Sequence, residues 1–356
     1  TMGGEPTFVS VDDMEAAEWN TAADGSQKRR LAGDLVLRLR ERFGSGGILH
    51  YGQGKWYPGE ELPRWKLAAY WRTDGVAMWH DDQLLARIDR EYGHEEGQAK
   101  LFIHRLRQRL GLPGRYIVPA YEDVFYFLWQ ERQLPANVDP LKADLEDPLE
   151  RRRLAELLER GLNVPKGYVL PMKWDFMNQR WGSGPWELRR GNLFLVPGDS
   201  PLGLRLPLDT LPYMPEDEME SEPQPDPTTG LPPLEDFYAL LENDVAQIDT
   251  ADKPRIWKDG PRTALCVEPR NGRLYIFMPP LNYLEQYLYL VAALEHTAAE
   301  LEMPIVIEGY EPPDDYRLQK ILVTPDPGVI EVNIHPAHSW AELKQNTLDL
   351  YEEARL

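Results

Sequence analysis

The stretch Pro325-Asp326-Pro327-Gly328-Val329-Ile330-Glu331-Val332-Asn333-Ile334-His335-Pro336, followed by Ala337-His338-Ser339-Trp340, constrains the fold more than any other. It spells a tight turn, a strand and the start of a helix. Side chains alternate along a strand, so Ile330, Val332 and Ile334 share a core face while Glu331, Asn333 and His335 line the other. A carboxylate, an amide and an imidazole in a row suit a metal or phosphate site on a sheet. They also suit a solvated sheet face.

Other elements follow from the same patterning. Strands are expected at 5–11, 65–72, 168–174, 192–196, 304–310, 319–324 and 328–334. The runs 263–269 and 273–278 flank Asn271-Gly272, the signature of a type I′ hairpin. Helices are expected at 27–43, with Leu31, Leu35, Leu39 and Phe43 on one face, and at 81–110, 121–132, 147–161 and 282–301. A last helix opens with Ser339 as N-cap and Glu342 three residues on, a capping box. Runs of strands beside helices predict an α+β fold, an antiparallel β-sheet with packed helices. Proline and acidic residues crowd 212–234, which reads as a linker or loop. The expected organisation is an N-terminal α+β part at 1–211, that linker, and a hairpin, helix and sheet part at 235–356.

The chain has 356 residues, enough for one large domain or two ordinary ones. Its 59 acidic against 39 basic residues leave a formal charge of -20. That argues against nucleic acid or an anionic membrane as a partner, since both reward clustered Lys and Arg. The single Cys266 excludes an intramolecular disulfide and points to a reduced, cytoplasmic compartment. No signal peptide or spanning helix is expected. Thr1-Met2-Gly3-Gly4 enters a strand-like run at once, and Leu356 ends inside a helical pattern. The chain is therefore expected to be an excised part of a longer polypeptide.

Several residues carry candidate chemistry. Glu268, Glu308, Glu311 and Glu331 sit on or beside strands, where carboxylates gathered on one sheet would suit hard Mg²⁺. Each also fits as a solvated strand residue. His335 and His338 precede the capped helix, whose free amides favour an anion; packing or capping at a strand-helix corner fits them equally. Gly52-Gln53-Gly54-Lys55 resembles a phosphate loop only loosely, lacking the GxxxxGK[ST] spacing, and reads otherwise as an aromatic surface loop. Lys55, Arg64 and Arg72 are candidates to neutralise phosphate. Cys266 lies in an apolar strand and reads as a buried, inert thiol. Paired carboxylates in a Trp-rich chain also admit glycoside hydrolysis, which nothing in the spacing prefers.

The runs Gly3-Gly4-Glu5-Pro6-Thr7 and His50-Tyr51-Gly52-Gln53-Gly54-Lys55-Trp56-Tyr57-Pro58-Gly59-Glu60 with Leu62-Pro63-Arg64-Trp65 resemble a bacterial family known as putative amidoligases. So do Asn137-Val138-Asp139-Pro140, Ile307-Glu308-Gly309-Tyr310-Glu311-Pro312-Pro313 and Thr324 through Pro336. The resemblance covers nearly the whole chain. It implies a glutamine synthetase/glutamate-cysteine ligase type of fold, incomplete at its C-terminus. It also implies a reaction in which ATP activates a carboxylate as an acyl phosphate and an amine displaces the phosphate. Under it Glu5, Glu308 and Glu331 would hold Mg²⁺, and Lys55, Arg64 and His338 would contact the nucleotide phosphates. Glu331, Asn333 and His335 would form the catalytic face. The substrates would be small-molecule or peptide carboxylates and amines, and a transglutaminase-like domain would lie upstream in the same polypeptide. Two departures stand out: related ligases often carry Arg where this chain has Asn333, and a glycine-rich, His-containing segment that follows in the family is absent here. The fragment alone is therefore expected to be inactive. The rival reading is a non-catalytic peptide-binding or scaffold module. The two part on whether Glu5, Glu308, Glu331, Asn333 and His335 converge on one cleft.

Overall fold

The computed structural model describes residues 4–58, 63–123, 164–188, 191–215, 230–244 and 254–356. In chain order the elements are β1 (Thr7–Phe8), α1 (Ser26–Phe43), β2 (Ile48–Gln53), β3 (Trp65–Arg72), α2 (Glu96–Arg109) and β4 (Val118–Glu122). Next come β5 (Gly167–Pro171), β6 (Lys173–Asp175), β7 (Arg180–Gly182), β8 (Leu193–Leu195) and α3 (Phe237–Asp244). The hairpin β9 (Ala264–Arg270) and β10 (Arg273–Met278) precedes α4 (Leu284–Leu301), β11 (Ile305–Gly309), β12 (Leu318–Asp326), β13 (Val329–Asn333) and α5 (Trp340–Arg355). They form two compact units, each drawing on both sides of the Pro-rich stretch: Thr1–Tyr92 with Pro232–Asn243 and Leu281–Leu356, and Gly93–Leu231 with Asp244–Pro280.

In the first unit the sheet runs in the order β1-β13-β12-β3-β2-β11. Its pairs are antiparallel except β2 with β11, where Glu308 stands opposite Tyr51. The sheet is therefore mixed, which corrects the antiparallel expectation. The cause is connectivity: a long stretch of chain, ending in α4, separates β2 from β11, so no short hairpin imposes the antiparallel return. α1 crosses β3 and β12 and buries Ala32, Leu35, Val36 and Leu39, the i, i+3, i+4, i+7 stripe of an amphipathic helix. Lys28, in its first turn, is wholly buried, yet its ammonium donates to the carbonyls of Ala22, Ala23 and Asp326 at 3.2, 3.0 and 2.9 Å. Those three acceptors tie the helix start to the end of β12. Burial pushes the Lys28 pKa down, against the pull of Glu18, Asp24 and Asp326. α4 is apolar on nearly every side and is a core helix.

In the second unit the order is β10-β9-β5-β4-β8, antiparallel except β4 with β8, and β6 and β7 form a separate small hairpin. α2 packs on β5 and β9. Ala120, Val169, Leu193, Leu195, Leu202, Cys266 and Phe277 form one buried cluster, so the Cys266 thiol is core material. The Asn271-Gly272 turn takes the two positive φ angles, 47° and 69°, that a type I′ hairpin requires. A buried ion pair joins Arg205 to Glu122.

Several elements differ from the sequence expectation. The helix expected over 81–110 starts only at Glu96, after a short 3-10 turn at Asp82–Leu84. Leu85 bridges to Ile305 instead, the Ala86 amide donating to the Ile305 carbonyl at 2.9 Å, and Gly93 takes a positive φ of 71°, so the segment before Glu96 follows a non-helical path. Tyr121 and Glu122 belong to β4 rather than to a helix. The strand expected at 5–11 shortens to Thr7–Phe8. Within 212–234, the carbonyls of Pro232 and Leu234 are taken by Arg317 and Arg72. Asp123 is not helical either, and the 124–132 part of the expected 121–132 helix, the 147–161 helix, the Asn137 to Pro140 run, Gly59-Glu60 and the stretch 216–229 lie outside the described residues. Among the described residues no helix is long and apolar enough to cross a membrane.

Candidate functional site

Strand register sorts the first unit's sheet into two faces. Glu331 lies opposite Thr7 on β1 and Thr324 on β12, and Asn333 opposite Leu322. Leu322 and Lys320 face Ala68 and Tyr70 on β3, whose Ala68 and Lys66 face His50 and Gly52 on β2. Opposed residues point the same way. One face therefore carries Glu331, Asn333, Thr324, Lys320, Lys66, Tyr70 and His50. Ile330, Val332, Val323, Ile321, Leu67 and Ala69 occupy the other, and all are buried.

At the β13 end of the polar face the Asn333 amide donates to Glu331 Oε1 at 2.8 Å. Lys55 Nζ lies 4.0 Å from the same oxygen, with the lysine 66% and the glutamate 15% exposed. The amides of Val332 and Ile334 donate to the carbonyls of Pro6 and Gly4, so the β1 pairing extends outward and alternation places exposed Glu5 beside Asn333 on this face. Glu5, Glu331, Asn333 and Lys55 are thus brought together.

The other expected site residues are not. Glu308 is buried and shares the parity of Tyr51, Leu67 and Val332, which places it on the face opposite Glu331. His335 lies beyond the end of β13, where alternation no longer governs. It is buried edge-on against Phe43 and Trp71, with ring centroids 5.6 and 5.3 Å away, and its Nε2 is 3.2 Å from the Asn346 amide. Burial pushes its pKa down. The Arg64 guanidinium pairs with Asp326 and stacks 4.2 Å above the Tyr57 ring. At the start of α5, Ser339 Oγ accepts the Glu342 amide at 3.1 Å and the Glu342 carboxylate accepts the His338 amide at 2.8 Å. The helix start is capped by its own acceptors, and a carboxylate stands where an anion would approach beside exposed His338. Among the described residues no three His, Cys, Asp or Glu side chains gather as a metal cluster.

Sequence reasoning named Glu311 but missed its partners in the middle of the polar face. The Glu311 carboxylate, just past β11, receives Lys66 Nζ on one oxygen and Tyr70 Oη on the other. Lys320 pairs with Asp314 at 3.2 Å. His50 lies fully buried beside them; burial first and Lys66 second push its pKa down to about 3. The available signal was period-two alternation in Trp65 to Arg72, which sets Lys66 and Tyr70 on one side.

Comparison with known families settles the kinship. A family model described as "Putative amidoligase enzyme (DUF2126)" matches residues 1–356. The chain belongs to this family. No curated protein and no solved structure matches it. Within the amidoligase family reading, the polar sheet face is where carboxylates and lysines meet, and it is the candidate site.

Proposed function

We propose that the chain acts in an ATP- and Mg²⁺-dependent carboxylate-amine ligase, with the β13 end of the polar face as its nucleotide and metal site. The family match over residues 1–356 carries this reading. Two carboxylates and an amide suit Mg²⁺ that arrives with a nucleotide, because this ion commonly keeps several waters and takes only one or two protein carboxylates alongside phosphate oxygens. Glu331 and Glu5 would hold it. When bound, ATP with Mg²⁺ supplies the phosphoryl group that activates a carboxylate for attack by an amine. Asn333 fixes the Glu331 carboxylate through its 2.8 Å hydrogen bond, and Lys55 reaches across to offset phosphate charge. A glutamine synthetase-like fold, a cytoplasmic setting and an upstream transglutaminase-like domain complete the proposal.

Calorimetric titration of ATP with Mg²⁺ into the chain and into its Glu331→Gln variant tests it. The variant is expected to bind roughly tenfold or more weakly, the usual scale for disturbing a metal's ligand shell. Equal binding by both proteins would remove Glu331 from the site. No binding by either would favour a non-catalytic peptide-binding module.

A further inference from the structure

The middle of the polar face holds buried polar groups that the fold leaves unsatisfied. Both ring nitrogens of His50, a residue only 1% exposed, have no hydrogen-bond partner. The carbonyls of Gly309 and Tyr310 lie close enough to the ring to favour its protonated form weakly, short of full hydrogen-bond geometry. The hydroxyl of Tyr287 on α4, wholly buried, is also without a partner. Each such group costs about 1–3 kcal/mol when left unmade, and native structures keep few of them.

The His50 ring borders a carboxylate cradle. The His50 ring meets Tyr70 edge-on at 6.2 Å. A Cβ added at Gly52 would lie 3.3 Å from both the His50 ring and the Lys66 chain, so those two side chains flank bare backbone. Above them Lys66 and Tyr70 each take one oxygen of Glu311. Glu311 comes from the segment after Gly309, whose φ of 96° turns the chain, and its side chain is 31% exposed. Its neighbours Tyr310 and Tyr316 are exposed as well.

We propose that Lys66, Tyr70 and His50 form a subsite for a substrate carboxylate, with Glu311 seated in it as an internal stand-in that the substrate displaces. An ammonium and a phenol grip the two oxygens of one carboxylate, as they grip those of Glu311. The exchange of one carboxylate for another leaves the charge at Lys66 unchanged. Neutral imidazole offers one donor and one acceptor, so a neighbouring polar group of the same ligand would satisfy it. A phosphate dianion fits less well, since Lys320, the next cation on this face, is turned to Asp314. The inference rests on the ligase reading only for what the carboxylate is used for.

The test titrates succinate, and methylammonium as a contrasting probe, into the chain and its Glu311→Gln variant, with binding followed by NMR or calorimetry. The variant is expected to bind succinate at least about tenfold more tightly, because no internal carboxylate competes for the donors. Adding Lys66→Met, or Tyr70→Phe should the first double variant not fold, is expected to abolish that gain. Equal succinate affinity in wild type and Glu311→Gln overturns the proposal, as does a gain that survives either added substitution. Methylammonium binding lost in Glu311→Gln overturns it too, in favour of an amine subsite. ATP with Mg²⁺ titrated into Glu311→Gln reports on the β13 end separately, so failure of either site is distinguishable.

Discussion

His50→Phe isolates the consequence of burying an imidazole without partners. In the unfolded chain His50 titrates near 6.5, whereas in the fold burial and Lys66 hold it at about 3. Between those values the unfolded chain binds a proton that the folded chain refuses, so stability falls as pH falls from 6.5 towards 3. Above 6.5 the residue has no effect, and below 3 its cost is constant. At about 1.4 kcal/mol per pKa unit, lowering the pH from about 7.5 to about 5 costs about 2 kcal/mol through this one side chain. Phenylalanine keeps the ring against Tyr70 and removes the titration. It also removes two unmade hydrogen bonds, worth about 1–3 kcal/mol each, against a packing penalty of similar size for its extra volume.

The assay is urea unfolding of both proteins at the two pH values, followed through tryptophan fluorescence. The double difference between variant and pH cancels the packing penalty, which is the same at both. Wild type is expected to lose about 2 kcal/mol more than His50→Phe on acidification, with the urea slope unchanged. Parallel losses in the two proteins, with a double difference under about 0.5 kcal/mol, would refute the buried neutral imidazole. With it would go the argument that this spot awaits a ligand.

Two further expectations concern the scaffold. Arg205→Met removes the ion pair to the buried Glu122 carboxylate and should destabilise the second unit by about 3–5 kcal/mol in urea unfolding, whereas Arg205→Met with Glu122→Leu should cost much less. Ser339→Ala removes the acceptor of the Glu342 amide and should lower stability by about 1 kcal/mol, measurable as a small drop in Tm.

Local chemistry made much of this chain legible. Asn271-Gly272 announces its hairpin because few residues tolerate two positive φ angles in succession. Ser339 and Glu342 mark a helix start through bonds made within five residues. The apolar run of α4 needs only its own composition to be read as a core helix. Where the reading failed, a distant group intervened. The distant Ile305 carbonyl takes the Ala86 amide through a β-bridge at Leu85 and stops a helix that propensity favours. His335 escapes its strand's alternation because Phe43, Trp71 and Asn346 offer it a packed site past the strand end.

The candidate site divides in the same way. Alternation along β13 is a property of the strand itself, and it set Glu331 and Asn333 on one side and Ile330 and Val332 on the other before any neighbour was known. Period two says only which residues of one strand point together. Whether Glu308 joins Glu331 depends on the parallel register of β11 with β2, and that register sets them on opposite faces. The meeting of Lys66 with Glu311, 245 residues apart, depends likewise on which strands lie adjacent. Hydrogen bonding between strands decides those matters, so they belong to the tertiary structure alone.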